Sequence, residues 1–461
     1  MGQKNIGDKR YPGNFPVQKE KSFAGILVPL DKTFVMRSVS PGETTSRESM
    51  KDNISIRSRI ALLLGLMIGL MSSGCRANQE SKTTMSRLTK IALPQEFVSA
   101  EEGLEKGASG AFAGVLGEWL IYGGGCNFPD KGPLEGGQKR FYSRIHALRI
   151  SDGGEVLDTL TLGDLARPSG YGASLRSEEG DTLYFIGGTD GSSSLRSIYR
   201  ITLTAAGMPT MEHLPEALSH GWHEGSAAIL GEKLYLVGGW SAPGQPMREV
   251  EAMDLTEGGE LRPIAPLPDG VRIQPITFAH SGKLFVCGGF APSEGGREPL
   301  MQGRSYALRP GDETAEWQLV SDLPVLEESG RKLLFVGTSV AYDEVSGKVY
   351  AAGGVDYDIF RSALEREYRQ GLATAAGDQE ALEDFARQRV EYMTRDPEAY
   401  RFMPHVISLN YESGEWSVIA TDTAFATAGG ALTAQGGTLY LVGGERKPGV
   451  RTPDIWRLRL D

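Results

Sequence analysis

The stretch LYLVGG at residues 439–444 decides the fold, because the chain carries five further versions of it. Each version is an apolar run that ends in two glycines, and each follows a tight-turn pair such as Gly231-Glu232. A single Gly-Gly indicates no more than a loop, but six copies after apolar runs indicate an internal repeat. The other copies are WLIYGG at 119–124, LYFIGG at 183–188, LYLVGG at 234–239, LFVCGG at 284–289 and VYAAGG at 349–354.

Each of the first five repeats holds four strand candidates. A small, glycine- or alanine-rich strand such as EGSAAIL (224–230) precedes the turn, and two strands such as SYALRP (305–310) and EWQLV (316–320) follow the glycines. Turn pairs containing Gly between β-rich runs are strong hairpin signals. Four strands with a double glycine ending the second form the kelch pattern, so residues 85–461 are predicted to be an all-β, six-bladed kelch-type β-propeller. The 60 glycines of the chain fit this fold, since they allow backbones to approach closely near the axis.

The two ends of the repeat array predict how the ring closes. After Gly444 only one strand candidate remains, at 454–460, so the sixth blade lacks its outermost strand. Residues 88–93 can supply that strand, which would remove the exposed edges of an open array.

The fifth repeat is unusually long. The segment 356–403 separates its Gly-Gly from the next strand and has helical composition, as in RSALEREYRQGLATA (361–375) and QEALEDFARQRVEYM (379–393). Long segments inside compact domains usually carry function or are disordered. We expect a helical insertion in the fifth blade that packs on the propeller, with a lid as the alternative.

The residues before the repeats predict export. Basic residues precede the apolar run IALLLGLMIGLM (60–71), which is too short for a comfortable membrane span and suits a signal peptide at 50–75. Gly74-Cys75 resembles a bacterial lipoprotein cleavage box, so Cys75 is predicted to be lipidated; because Ser72 stands where Leu is usual, a plain signal peptide is the alternative. Residues 1–49 are expected to be a disordered tail or an extension upstream of a start at Met50. The protein is then periplasmic or anchored to the outer membrane of a Gram-negative bacterium.

The net charge and the cysteine content of the chain limit which binding partners and metals are expected. The net charge of −11 argues against nucleic acid and anionic membrane surfaces, although local arginines can still bind an anionic small molecule. Membrane contact is expected only through a lipid on Cys75. Cys126 and Cys287 lie in different repeats and are predicted to be buried free thiols. No Cys/His spacing suggests zinc, so no metal and no cofactor are expected.

Topology predicts where a ligand binds. In an up-and-down blade, the Gly-Gly loop and the loop into the next blade lie on the same face, so both sets of loops surround one mouth of the central channel. Glu445 directly follows two glycines, and Pro448-Gly449 can turn the chain so that Arg451 lies beside it. Such a pair can be a base next to an anion clamp, or a solvated surface ion pair. Other candidates in these loops are Asn127, Tyr171, His223 and Arg272.

Several of these segments carry a family resemblance. GGVDYDIF (353–360), the helical segment after it and GGERKPGVRT (443–452) resemble the bacterial N-acetylneuraminate mutarotase (epimerase) family, and GAFAGVLGEWLIYGGGCNF (110–128) resembles another blade of that family. In the family the blade like 110–128 comes after the Glu/Arg loop, so this chain looks cyclically permuted. Permutation is physically easy in a closed ring.

The resemblance implies an activity and roles for two residues. The family interconverts the anomers of sialic acid, and its proposed base falls on Glu445 and its sialate-contacting arginine on Arg451. The partner acid stays open between Tyr171, His223 and a water. The expected ligand is sialic acid or a related sugar acid; the alternative is a non-catalytic glycan- or protein-binding kelch lipoprotein of the cell envelope.

Overall fold

The computed structural model describes residues 87–255, 259–311, 316–326, 329–410 and 414–460, together with the backbone of 76–79. The expectations for residues 1–75, including the lipidation of Cys75, lie outside the described residues. Five four-stranded antiparallel sheets and one larger sheet, which contains a further four-stranded antiparallel blade, make six blades and confirm the six-bladed propeller.

We number the blades by the order of their inner strands. From the innermost strand outward, blade 1 is Phe112–Leu116, Trp119–Gly123, Arg144–Ile150 and Val156–Asp164; blade 2 is Ala173–Arg176, Thr182–Ile186, Ile198–Leu203 and Pro209–Leu214; blade 3 is Ser226–Leu230, Lys233–Val237, Glu249–Asp254 and Arg262–Pro266; blade 4 is Ile276–His280, Lys283–Cys287, Arg304–Leu308 and Gln318–Asp322; blade 5 is Ser339–Asp343, Lys348–Ala352, His405–Leu409 and Trp416–Thr421; blade 6 is Ala431–Gln435, Thr438–Val442, Ile455–Arg459 and Leu88–Lys90.

Blade 6 joins the two ends of the propeller. Its outermost strand, Leu88–Lys90, pairs antiparallel with Ile455–Arg459, with Thr89 opposite Arg457. The Ile91 N–H extends this pairing by donating to the Ile455 carbonyl at 2.9 Å. The predicted closure by an N-terminal strand is therefore confirmed.

Blade 5 carries extra strands at its outer edge. Arg76–Gln79 runs parallel to Trp416–Thr421 on one side and to Val325–Leu326 on the other, and Val325–Leu326 pairs with Arg331–Lys332. These additions make a seven-stranded sheet.

The paired glycines of blade 3 show why the repeat requires them. Gly238 and Gly239 both have positive φ, at 60° and 81°. A Cβ on Gly238 would lie 2.0 Å from the Arg272 carbonyl oxygen of the next blade, and one on Gly239 would lie 2.4 Å from the His223 carbonyl oxygen. Only glycine satisfies both the conformation and the close approach.

Short elements decorate the loops. Helix α1 is Gln95–Val98, and 3₁₀ turns span Leu104–Lys106, Pro133–Glu135, Pro397–Tyr400 and Thr423–Phe425. Two-stranded ribbons follow the glycine pairs of blades 1, 3, 4 and 6: Cys126–Asn127 with Arg140–Phe141, Trp240–Ala242 with Gln245–Pro246, Phe290–Ala291 with Leu300–Met301, and Glu445–Lys447 with Val450–Arg451.

Two longer helices follow the glycine pair of blade 5, as the helical composition predicted. Helix α2 is Tyr357–Ala376 and helix α3 is Gln379–Thr394. Asp356 caps α2 by accepting hydrogen bonds from the backbone N–H groups of Asp358 and Ile359, and Gly377 ends it in the left-handed conformation. In the part of the chain that the structure describes, no helix is long and apolar enough to cross a membrane.

The core lies between neighbouring blades, where apolar side chains of adjacent sheets interlock. Trp222 is fully buried in one such layer and donates its indole N–H to the Gly238 carbonyl at 2.9 Å. Cys126 and Cys287 are buried and form no disulfide, as predicted.

Candidate active site

A cavity of about 800 Å³ occupies the central channel. The innermost strands of all six blades line it, and the helical insertion contributes Ile359, Phe360 and Tyr392. Glu445 and Pro448 of the predicted Glu/Arg loop also line it.

A ring of six residues surrounds the channel just before the innermost strands; we call it the collar. Each collar residue has a φ between 50° and 67°, in the left-handed region. Five backbone hydrogen bonds of 2.7–2.9 Å run from one collar N–H to the collar carbonyl of the preceding blade, and together they link the blades around the axis. In blade order the collar is Gly110, Tyr171, Glu224, Gln274, Gly337 and Gly429.

The collar is asymmetric. Glycine occupies it in blades 5, 6 and 1, whereas Tyr171, Glu224 and Gln274 occupy it in blades 2, 3 and 4. A left-handed conformation strains a residue that has a side chain, and such strain concentrates at functional sites. The three strained residues all line the cavity.

A second set of equivalent positions directly follows the glycine pairs; we call these the post-glycine positions. Each one bonds to the residue before the collar, as in the Glu445–Ala428 and Trp240–His223 bridges. The two loop sets therefore lie at one mouth, as predicted. In blade order the post-glycine residues are Cys126, Thr189, Trp240, Phe290, Val355 and Glu445.

Glu445 and Arg451 form a buried ion pair. The strand pairing places them opposite each other, and Arg451 Nη2 lies 3.1 Å from Glu445 Oε2. The Gly449 N–H donates to Glu445 Oε1 at 2.9 Å, so the predicted turn also orients the carboxylate. The side chain of Glu445 is 7% exposed and that of Arg451 is 0% exposed, which rules out a solvated surface pair.

Arg451 lies behind the cavity wall. Its Nε donates to Ser109 Oγ at 3.3 Å, and its guanidinium carbon is 5.1 Å from the centre of the Phe128 ring. Burial disfavours its charge, but the Glu445 carboxylate, together with Tyr171 and Cys126, more than offsets burial and raises the pKa of the guanidinium. Among the described residues Nη1 makes no hydrogen bond, and Nη2 has the Glu445 carboxylate as its ion-pair partner.

Tyr171 connects this pair to the cavity. Its hydroxyl lies 3.1 Å from Ser109 Oγ and 3.5 Å from Cys126 Sγ. Burial raises the pKa of Tyr171 well above its ordinary value, and Cys126 adds to this effect. The phenol is therefore protonated at neutral pH.

The other three predicted substrate-binding residues lie outside the cavity lining. Asn127 is buried and donates to the carbonyls of Gly103 (2.8 Å) and Gly107 (2.6 Å), and it accepts from Tyr142 Oη at 2.7 Å. Its polar atoms are thus engaged in holding the loop before blade 1. Contact of Asn127 with a ligand stays a prediction.

His223 and Arg272 also have internal partners. His223 Nδ1 lies 2.8 Å from Ser194 Oγ, and burial lowers the pKa of this histidine to about 4. Arg272 is fully buried, pairs with Asp269 at 2.7 Å and donates to the Gly288 carbonyl at 2.9 Å. These contacts let Arg272 stabilise the connection between blades 3 and 4.

The sequence reasoning missed Glu224. It is 8% exposed and lines the cavity, and Trp240 Nε1 donates to its Oε2 at 3.1 Å. Aligning the six repeats on the residue before the innermost strand would have singled it out, since that alignment gives the collar. Among the described residues, no group of three His, Cys, Asp or Glu side chains is arranged to hold a metal ion.

Comparison with known proteins places the chain. A family model described as N-acetylneuraminate epimerase matches residues 212–461. N-acetylneuraminate epimerase of Pasteurella multocida (strain Pm70) is 28% identical over 261 residues, which cover 57% of this chain and 62% of that protein. The enzyme of the same name from Haemophilus influenzae (strain PittEE) is 30% identical over 230 residues, covering 50% of this chain and 55% of that protein. The chain thus matches little more than half the length of these relatives.

A solved structure titled "Structure of YjhT" is 22% identical, with a TM-score of 0.42, and covers 52% of this chain and 63% of that one. The family model spans a little over half of the present sequence and includes the Glu445–Arg451 loop. The chain belongs to the N-acetylneuraminate epimerase family.

Proposed function

We propose that this protein interconverts the α and β anomers of N-acetylneuraminate or a related sugar acid. The observation that carries the proposal is Glu445, a buried carboxylate in the wall of the central cavity, oriented by Gly449 and paired with Arg451. The family membership supports the same chemistry.

The reaction requires a group that moves a proton at the anomeric hydroxyl. A cyclic sialic acid opens when that hydroxyl loses its proton and the ring oxygen gains one, and it recloses on the other face by the reverse steps. Glu445 acts as the proton acceptor, because two contacts fix its carboxylate at the cavity surface. This acid–base chemistry needs neither a metal nor an organic cofactor.

Arg451 acts first by positioning Glu445. Its ion pair and its bond to Ser109 hold the Glu/Arg loop against blade 1. Its Nη1, which makes no hydrogen bond among the described residues, is suited to a carboxylate that enters between Ser109 and Tyr171, which both line the cavity. Direct contact between Arg451 and the C1 carboxylate of the substrate stays a prediction.

The test follows anomer relaxation. Freshly released α-N-acetylneuraminate is added to the protein, and proton NMR records the conversion to the β anomer for wild type and for Glu445→Gln. We expect clear acceleration by wild type and a loss of about 10²-fold or more in the variant, the range of general acid–base catalysis. Equal rates for the two proteins, or no acceleration over buffer, would remove the assignment. Tight sugar binding without acceleration would support the non-catalytic binder.

We also infer that the protein is exported and carries a lipid on Cys75, on the strength of residues 50–75. Expression of the full chain in a Gram-negative host with radiolabelled palmitate should label wild type and not Cys75→Ser. Label on both proteins, or on neither, would contradict the lipid anchor.

A further inference from the structure

Two carboxylates lie on opposite sides of the channel. Glu445 belongs to blade 6 and Glu224 to blade 3, and in a ring of six blades these two are opposite. Both line the same cavity. A sugar held in this cavity therefore lies between the two carboxyl groups.

The internal repeat allows equivalent positions of the six blades to be compared, and it shows that a charge at such a position is uncommon. Six collar positions and six post-glycine positions surround the mouth, and the fold itself requires no charge at any of them. Glu224 and Glu445 are the two charged residues among the twelve. Glu224 is also held in a strained left-handed conformation, with φ of 50°, where three other blades use glycine.

The surroundings of Glu224 suit a proton donor. Trp240 and Gln274 both hydrogen-bond its carboxyl group, and Lys139 is the nearby cation. Burial raises the pKa of Glu224 to about 7, against these three opposing influences. At neutral pH a large share of the side chain is therefore protonated and can give up its proton.

We propose that Glu224 is the second acid–base group, which protonates the ring oxygen of the sugar while Glu445 deprotonates the anomeric hydroxyl. This inference rests on the proposed function and names the partner that the sequence left open between Tyr171, His223 and water. Tyr171 holds its proton far above neutral pH, and His223 is unprotonated with its Nδ1 at Ser194.

The proton balance closes over one cycle. Glu445 takes the proton of the anomeric hydroxyl, the electron pair of that O–H bond forms the C2 carbonyl, and the bond from C2 to the ring oxygen breaks. The ring oxygen keeps the electron pair of its broken bond to C2 and takes the proton of Glu224. After rotation about the bond from C2 to C3, Glu224 removes the same proton, the oxygen attacks the other carbonyl face, and Glu445 returns its proton to the new hydroxyl. Atoms, electrons and protons are unchanged overall.

The test compares Glu224→Gln with wild type in the NMR relaxation assay. Glutamine keeps the shape of the side chain and an oxygen that accepts from Trp240, but it has no acidic proton. We expect the maximal rate to fall by about 10²-fold, with sugar affinity, measured by calorimetry, nearly unchanged. The control is Glu178→Gln, at a carboxylate of the same channel that bonds the Gly231 N–H instead of the collar, and it should keep the wild-type rate.

A pH profile of the rate distinguishes a catalytic role of Glu224 from a structural one. Since the donor must be protonated, the wild-type rate should fall as pH rises through about 7, and Glu224→Gln should lose this dependence. Glu224→Asp, which retains an acid with a shorter reach, should keep the alkaline fall at a reduced rate. A Glu224→Gln variant with the wild-type rate and profile, beside an impaired Glu445→Gln, would overturn the role of Glu224 alone. No acceleration by wild type would instead remove the proposed function itself.

Discussion

At the scale of single residues, the collar combines a strained backbone with a buried acid. Glu224 has a positive φ and a carboxyl group whose pKa is raised by burial, so its charged form destabilises the fold. Residues that serve chemistry often reduce stability in this way. The structure therefore makes a prediction about stability that does not depend on knowing the substrate.

Glu224→Gln should stabilise the protein at alkaline pH. The carboxyl binds its proton more tightly in the folded protein, where its pKa is about 7, than in the unfolded chain, where it is near 4.5. Stability is therefore lost as pH rises from about 4.5 through 7, and the loss approaches about 3 kcal/mol at 1.36 kcal/mol per pKa unit. Denaturant unfolding at pH 8 should show the variant more stable by up to that amount, with little difference at pH 4. A variant that is less stable at pH 8 would show that the charged form is favourably held.

The Glu445–Arg451 pair makes the opposite prediction. Arg451→Met leaves a buried carboxylate without its cation, and breaking such a pair costs about 3–5 kcal/mol. The double variant Glu445→Gln/Arg451→Met should recover most of that loss in denaturant unfolding. Arg144→Met, which breaks the exposed pair with Asp164, is the control and should cost less than about 1 kcal/mol. Equal losses in the single and double variants would show that packing, and not charge, explains the effect.

The two acids differ in how far the sequence could predict them. Glu445 and Arg451 are partners within one hairpin, so the Pro448-Gly449 turn between them already indicated that they meet. Glu224 depends on the ring: its neighbours Gln274 and Lys139 come from blades 4 and 1, and its opposite carboxylate from blade 6. A local pattern contains no information on such contacts until the repeats are aligned.

At the scale of elements, the helical insertion forms part of the cavity wall. Composition predicted the two helices, because the helical pattern of a segment is a local signal. It did not predict their place, which depends on contacts with distant loops. Phe360 meets Phe290 of blade 4 edge-on with ring centres 5.2 Å apart, and Tyr392 and Met393 pack with Phe128 of blade 1. The insertion is thus packed in place and lines the site at the same time.

Phe360→Ala should reduce both stability and substrate affinity. The ring is 2% exposed, lies in the largest core cluster and faces the cavity, so its removal should cost about 3–5 kcal/mol and loosen one wall of the site. Denaturant unfolding gives the first quantity, and the KM of anomer relaxation gives the second. Leu372→Ala on the same helix is the control, since that side chain is 51% exposed and should change neither. A stable variant with wild-type KM would show that the helices are a detachable appendage.

At the scale of the whole molecule, the sequence predicted more of the structure than it did at the scale of residues or elements. Six Gly-Gly motifs predicted six blades, and the missing outer strand of the last blade predicted its replacement from residues 88–93, of which Leu88–Lys90 form the strand. The seven-stranded sheet at blade 5 was not predicted, because Arg76–Gln79 pairs parallel with strands more than 240 residues away and carries no repeat signal. The cyclic permutation relative to the family stays a prediction. The family model matches one continuous span that begins in the last strand of blade 2.

A closed ring should tolerate new chain ends wherever they reproduce the closure of blade 6. In blade 6 the third and fourth strands come from opposite ends of the propeller sequence. The Arg459 N–H donates to the Arg87 carbonyl at 3.3 Å, so a short Gly/Ser linker can join Leu460 to Arg87. We expect a permutant that begins at Ala206 and ends at Ala205 to fold, because this cut lies between the third and fourth strands of blade 2. Its unfolding free energy and rate of anomer relaxation should approach those of the unpermuted chain 87–460.

A permutant that begins at Glu216, between blades 2 and 3, is the control. It has no blade shared between its two ends, so its terminal blades are held together only by side-chain contacts. We expect it to be clearly less stable. Equal stability of the two permutants would show that contacts between blades, and not the shared sheet of blade 6, hold the ring closed.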